Sequence, residues 1–166
     1  MTIFAVVLAI LSLVVSAISL TWQVVQHNLS GARVKVELLL GAMRGSQLVS
    51  GPFHTVRLED LADQGFDSFV VVVRGRNRGR MPVDVTGFDV AIDSGASFGF
   101  PGWNINPTLP HRLEPGSSAT FCIPLENIDK LVRVSNQTLG STRLVRGRLD
   151  LGTGQTVVSK KVEFPL

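Results

Sequence analysis

The sequence predicts a mainly β protein, in which an apolar N-terminal helix precedes an antiparallel β-sandwich of seven to eight strands. Three observations predict it. Residues 1–32 contain no Lys, Arg, Asp or Glu, so every charge lies from Arg33 onward. From Arg33 the hydrophobic period switches from helical to alternating. Turn-forming residues then separate short apolar runs, with no long amphipathic helix between them. The chain has 166 residues, 45% hydrophobic and 17% charged, with a mean hydropathy of +0.29. Soluble domains carry ~25% charged residues, so neither a simple soluble enzyme nor a disordered chain fits. Residues 1–29 form the helix with its interfacial extension, and residues 30–166 are one β domain of ordinary size.

Ile3 to Trp22 is free of charge and spans ~30 Å as a helix, the thickness of the hydrocarbon core. Trp22 falls where an interfacial aromatic belongs. The polar run from Gln23 continues the helix into the headgroups, and Ser30-Gly31 stops it. A cleaved signal peptide is the competing reading, with Val15-Ser16-Ala17 as the cleavage site. The n-region, however, lacks Lys and Arg, and the apolar run continues past that site. The expectation is therefore a retained single-pass anchor. Ala5, Ala9, Ser12, Ser16, Ser19, Gln23 and Gln26 recur at alternating spacings of four and three. That is a heptad seam of small or polar residues. Such residues let helices approach in lipid and hydrogen-bond across the contact. The seam is expected to pair with a second copy or with a partner membrane protein. Chance alignment of common membrane-helix residues is the plainer alternative.

The β domain opens with Val34, Val36, Leu38 and Leu40 alternating with Arg33, Lys35, Glu37 and Leu39. Ser68–Arg74 is β-branched and apolar on both faces, as a central strand is. Asn77-Arg78-Gly79-Arg80 supplies turn chemistry. Val83 and Val85 then share a face, and Gly87 marks a bulge before Phe88, Val90 and Ile92. Residues 93–118 read as a long loop with one short strand at Ala96–Phe100. Ala119–Leu125 is a further strand, and Glu126–Val134 holds a short helix burying Ile128 and Leu131 or Val132. The end is a hairpin: Val145, Leu149 and Leu151 run into the turn at Gly152–Gln155. Val158, Val162 and Phe164 return, with Lys160-Lys161 at a bulge or edge.

Two stretches carry a resemblance. VVVVRGRNRGRMPVDVTGFDV resembles a hairpin of bacterial immunoglobulin-like modules, and HRLEPGSSATFCIPL resembles the entry to a later strand of the same modules. The Cys…Trp…Cys core of antibody domains is absent, because Cys122 is the single cysteine and Trp103 lies in a loop. The chain as a whole is similar to small single-pass membrane proteins of high-GC Gram-positive bacteria and their phages. The likeness rests on Leu20-Thr21-Trp22-Gln23, the segment Ser30 to Val36, and the hairpin Leu151 to Gly154. It implies an immunoglobulin-like β-sandwich and no activity.

Little in the sequence points to chemistry. His27, His54 and His111 are far apart, and no metal-ligand spacing or nucleotide-binding motif occurs. One cysteine allows no intrachain disulfide. Cys122 should lie on a sheet surface opposite Phe121 as a small hydrophobe. The stretch Glu59-Asp60…Asp63…Asp67 lacks the spacing of a calcium loop and reads as a solvated loop or short helix. Asp84, Asp89 and Asp93 read as outward polar positions on strands. No cofactor is expected.

The charge cluster is Arg74, Arg76, Arg78 and Arg80. At a hairpin tip their guanidinium groups would project together and meet an anionic lipid or protein. Nucleic acid is disfavoured, since the cluster is short, lacks interleaved aromatics and sits in a nearly neutral domain. The plainer reading is a solubilising edge.

The expected role is a membrane-anchored, non-enzymatic interaction or scaffold module, oligomeric or accessory to another membrane protein. The alternative is a ligand-binding or sensory domain using the loops at 94–110, which would need a concave pocket there. A hydrolase would need convergent titratable groups. Arg33, Lys35 and Arg44 follow the span while no Lys or Arg precedes it, which favours a cytoplasmic β domain.

Overall fold

Two antiparallel sheets share one hydrophobic core in the computed structural model, which describes residues 2–93, 95–99, 103–138 and 143–164. Helix α1 (Thr2–Ser30) comes first. The strands and helices that follow are β1 (Val34–Arg44), β2 (Gln47–Gly51), α2 (Leu58–Asp63), β3 (Ser68–Asn77), β4 (Val83–Ile92), β5 (Ser97–Phe98), β6 (His111–Leu113), β7 (Ser118–Pro124), α3 (Leu125–Thr138), β8 (Leu144–Leu151), β9 (Thr156–Val158) and β10 (Val162–Glu163). The first sheet has the order β2-β1-β3-β7. In the second, β4 and β8 lie side by side; β5 and β6 share the outer edge of β4, and β9 and β10 share that of β8. Among the described residues ten paired segments thus occupy the two sheets, in four lanes each, against the seven to eight short strands expected. The surplus arises because the edge lanes are broken into short pieces.

Val36, Leu38, Val71, Val73, Phe121 and Ile123 of the first sheet meet Val85, Phe88, Val90 and Leu149 of the second. Phe88 and Phe121 stack with ring centroids 4.8 Å apart. Helix α3 packs on β3, β4, β5 and β7. Ile128 and Val132 are fully buried and Ser135 nearly so, an i, i+4, i+7 stripe on an otherwise polar helix. The expected short helix is therefore real and longer, and Val132, with Ile128, is its buried face.

The first strand does not stop at Leu40. It runs to Arg44 and returns as β2, with Arg44 opposite Gln47. Alternation faded there because Leu39, Leu40, Ala42 and Met43 are buried on both faces. Residues 93–118 contain β6 besides the short strand at Ser97–Phe98; Phe100, the expected end of that strand, lies outside the described residues. A register shift between Val85 and Gly87 marks the expected bulge. Residues 159–161 interrupt the edge between β9 and β10, as the lysine pair foretold, and Lys161 pairs with Asp93 at 2.7 Å.

One expectation needs correction. Arg74–Arg80 is not a hairpin tip, because β3 belongs to the first sheet and β4 to the second. The segment is the corner where the chain crosses from one sheet to the other.

Candidate functional site

Strand β3 places Val71, Val73 and Gly75 inward and Val72, Arg74 and Arg76 outward, by strict alternation. Asn77 is next in the inward series and is completely buried. Its amide is fully used. Oδ1 accepts from the backbone N–H of Arg33 (3.3 Å) and of Gly79 (2.9 Å). Nδ2 donates to the carbonyls of Met81 (2.8 Å) and Leu113 (3.1 Å). Two acceptor and two donor positions are all an asparagine side chain offers. Asn77 therefore ties together the segment leaving α1, the corner after β3, and β6.

The corner lies directly on the exit from α1. The Arg78 amide donates to the Arg33 carbonyl at 2.7 Å. Gly79 packs flat on Gly31–Arg33, where a β-carbon would collide with the Gly31 carbonyl oxygen and the Arg33 amide nitrogen. Arg78 and Arg80 flank that glycine and are exposed. Arg76 is exposed on the outer face of the sheet, opposite Lys35 of β1. Among the described residues none of Arg76, Arg78 and Arg80 is in an ion pair. Arg74 behaves differently: it is half-buried, and its Nη2 donates to Ser50 Oγ at 3.0 Å. Glu37, opposite Arg74, sits at the border of this field. A hydrogen bond from Lys35 and the nearby charges of Lys35, Arg74 and Arg78 hold its carboxyl below the usual range, against partial burial. The structure thus gathers Arg76, Arg78, Arg80 and Lys35 at the end of the domain nearest α1.

Helix α1 itself is not covered by the β domain: none of the apolar window Val6–Gln23 is buried. It is long and apolar enough to span a membrane. Along the seam, Ala9, Ser12, Ser16, Ser19 and Gln23 are exposed, and the side chains of Ala5 and Gln26 lie outside the described residues. The Ser12 hydroxyl donates to the Leu8 carbonyl at 2.9 Å, so its donor is satisfied within its own helix.

Trp103 and Asn106 strap the first sheet. Trp103 packs on the outer-face cluster of Leu39, Met43, Val70, Val72 and Cys122. Asn106 Oδ1 accepts from the Cys122 amide (2.6 Å) and its Nδ2 donates to the Cys122 carbonyl (3.0 Å). This side chain stands in for a neighbouring strand and blunts the free edge of β7. Cys122 does lie on the sheet face opposite to that of Phe121, but the strap buries it. Burial raises its thiol to about 11.

Beside Trp103 an open cleft of about 720 Å³ lies at the start of α3, lined by Phe69, Leu125, Asp67, Glu126 and Asp129 among others. Lys130 approaches Glu126 (3.7 Å), and Arg133 pairs with Asp129 (2.9 Å). The cleft lies at the Ser68 end of β3, ~30 Å along the strand from Asn77. Of the loops at 94–110, Trp103 reaches the cleft, while Ser94 and residues 100–102 lie outside the described residues. Among the described residues no group of His, Cys, Asp and Glu is arranged to hold a metal ion. Asp89 is held bidentately by Arg148, with Nε at 2.7 Å, and Asp93 by Lys161, so both carboxylates serve the second sheet.

Sequence reasoning missed Asn77 as a tie and Asn106 as an edge cap. The available signal for Asn77 was its inward place in the alternation, where an amide must be fully partnered. The chain matches no protein-family model and no curated protein.

Proposed function

We propose that this chain is a single-pass membrane protein presenting an immunoglobulin-like β-sandwich as an interaction or scaffold module. The observation that carries the reading is the bare helix. An apolar window of 18 residues with no part buried by its own domain exposes far more apolar surface than water tolerates, and a bilayer removes it. The core between the sheets is filled by fully buried Val, Ile, Leu and Phe side chains, which favours recognition at surfaces over an internal ligand cavity. Assembly is assigned to the Ala/Ser seam, with a second copy or a partner membrane helix. Arg33 and Lys35, joined at the helix exit by the folded-in Arg76, Arg78 and Arg80, favour a cytoplasmic β domain. The resemblance to small membrane proteins of high-GC Gram-positive bacteria and their phages is of a piece with this role.

Extraction of membranes with alkaline carbonate tests the reading. The full chain stays in the pellet, whereas a chain beginning at Gly31 is released and keeps its β signature. Full-length protein in the supernatant would defeat it.

A second reading, a tethered ligand-binding or sensory domain, is favoured by the cleft at Trp103. Its wall of Phe69 and Trp103, and the rim carboxylate of Asp67, which is in no ion pair among the described residues, suit a cationic ligand. Loss of binding to such a ligand in Trp103→Ala, with the fold intact, would establish it.

A further inference from the structure

We infer that Arg76, Arg78 and Arg80 form a basic collar that docks the β domain onto phosphate-bearing lipid headgroups around the helix exit. The inference rests on the membrane-anchored reading and adds a partner to it. The geometry carries it in three steps. The first concerns reach. Strand β1 begins at Val34, four residues after α1 ends at Ser30, and the intervening segment is pinned to the corner by Asn77 and by the Arg78–Arg33 hydrogen bond. The domain therefore cannot drift away from the helix end. Ser30 lies roughly 10 Å along the helix from Gln23, the end of the apolar window. That height exceeds the ~5–7 Å headgroup layer of one leaflet by only a few ångströms, a gap that long Arg side chains bridge by extending back toward the bilayer.

The second step concerns availability. The three arginines are exposed and make no ion pair among the described residues. Elsewhere, Arg133 and Arg148 are paired with Asp129 and Asp89. The third step concerns direction. Asn77 and Gly79 are inward or against the linker, so the alternation Arg76, Arg78, Arg80 turns all three guanidinium groups away from the core. Guanidinium forks match phosphate oxygens in pairs. Removing each such cation weakens attraction to an anionic surface about fivefold.

The test uses the full chain in nanodiscs of phosphatidylcholine, with or without phosphatidylglycerol. Backbone hydrogen exchange at residues 76–81 is compared with exchange at residues 57–63, which serve as an internal reference far from the collar. Exchange at 76–81 should slow at least tenfold in the anionic discs, and the difference should vanish at high salt. The triple variant R76Q/R78Q/R80Q should unfold like the native chain in phosphatidylcholine discs and lose the slowing. Equal exchange in the two lipids, or protection that survives in the triple variant, would overturn the proposal. Slowing by inorganic phosphate in phosphatidylcholine discs at millimolar concentration would overturn the lipid source in favour of a free phosphate. Failure of the chain to enter discs at all would instead count against the membrane anchor, and with it the collar.

Discussion

The Asn77 side chain holds the backbone N–H of Arg33, so the segment that leaves helix α1 is fastened to the far end of a central strand. The same oxygen holds Gly79, and the amide nitrogen holds Met81 and Leu113. Asn77→Ala takes this partner from all four backbone groups, two of which, the Gly79 N–H and the Leu113 carbonyl, lie in a buried place. Each unsatisfied group costs ~1–3 kcal/mol, offset in part where water enters. The expected destabilisation is about 3 kcal/mol, read from denaturant unfolding in detergent. A loss below 1 kcal/mol would show that the tie is redundant.

Cys122 provides a pH prediction. Burial moves its thiol from 9.0 to about 11, so its reactive thiolate is about hundredfold scarcer near neutral pH than in an unfolded chain. Native protein at pH 8 should be alkylated at least that much more slowly than protein in denaturant. The sign for stability follows. The neutral thiol is the buried form, so its contribution is complete below pH 9 and is lost as pH rises toward 11. Alkylation of the native chain at the unfolded rate would show that the Trp103–Asn106 strap does not cover the sulfur.

Much of the architecture was legible because it is local. A charge-free run of membrane length, β-branched runs between turn residues, and Ile128 and Val132 one helical turn apart each declare themselves within a short window. The corner at Arg74–Arg80 was misread because Asn-x-Gly chemistry looks the same whether the chain returns in one sheet or crosses to the other. Only the pairing of β3 with β1 and β7, and of β4 with β8, decides between them. The strap was hidden for a similar reason: Asn106 and Cys122 meet through a loop, and no periodicity marks such a contact. The arginines were found from spacing alone, yet their position at the helix exit depends on Asn77, which charge counting ignores.

Helix α3 makes the packing argument quantitative. Ile128 is completely buried among residues of both sheets, so Ile128→Ala should cost 2–5 kcal/mol by the usual range for such truncations. Val134 on the same helix is 61% exposed, and Val134→Ala should fall within about 0.5 kcal/mol of the native chain. Equal effects from the two would mean that α3 does not close the core.

The seam on α1 separates smallness from hydrogen bonding. Because the Ser12 hydroxyl is spent on the Leu8 carbonyl, association through the proposed seam would draw on Ser12 for close approach and not for an interhelical donor. Ser12→Ala should therefore leave association unchanged, while Ser12→Leu weakens it. Ser16→Leu inserts a branched side chain where two backbones would meet, and should cost ~1–2 kcal/mol, about a tenfold loss in association. Val15→Leu and Ile18→Leu, off the seam, are the matched controls and should change little. A transmembrane association assay reads self-pairing, and cross-linking in detergent reads any partner helix. If Ser12, Ser16 and Ser19 all become Leu without weakening either, the heptad spacing reflects composition alone. Helix α1 is then a plain anchor, and assembly must lie in the surfaces of the β domain.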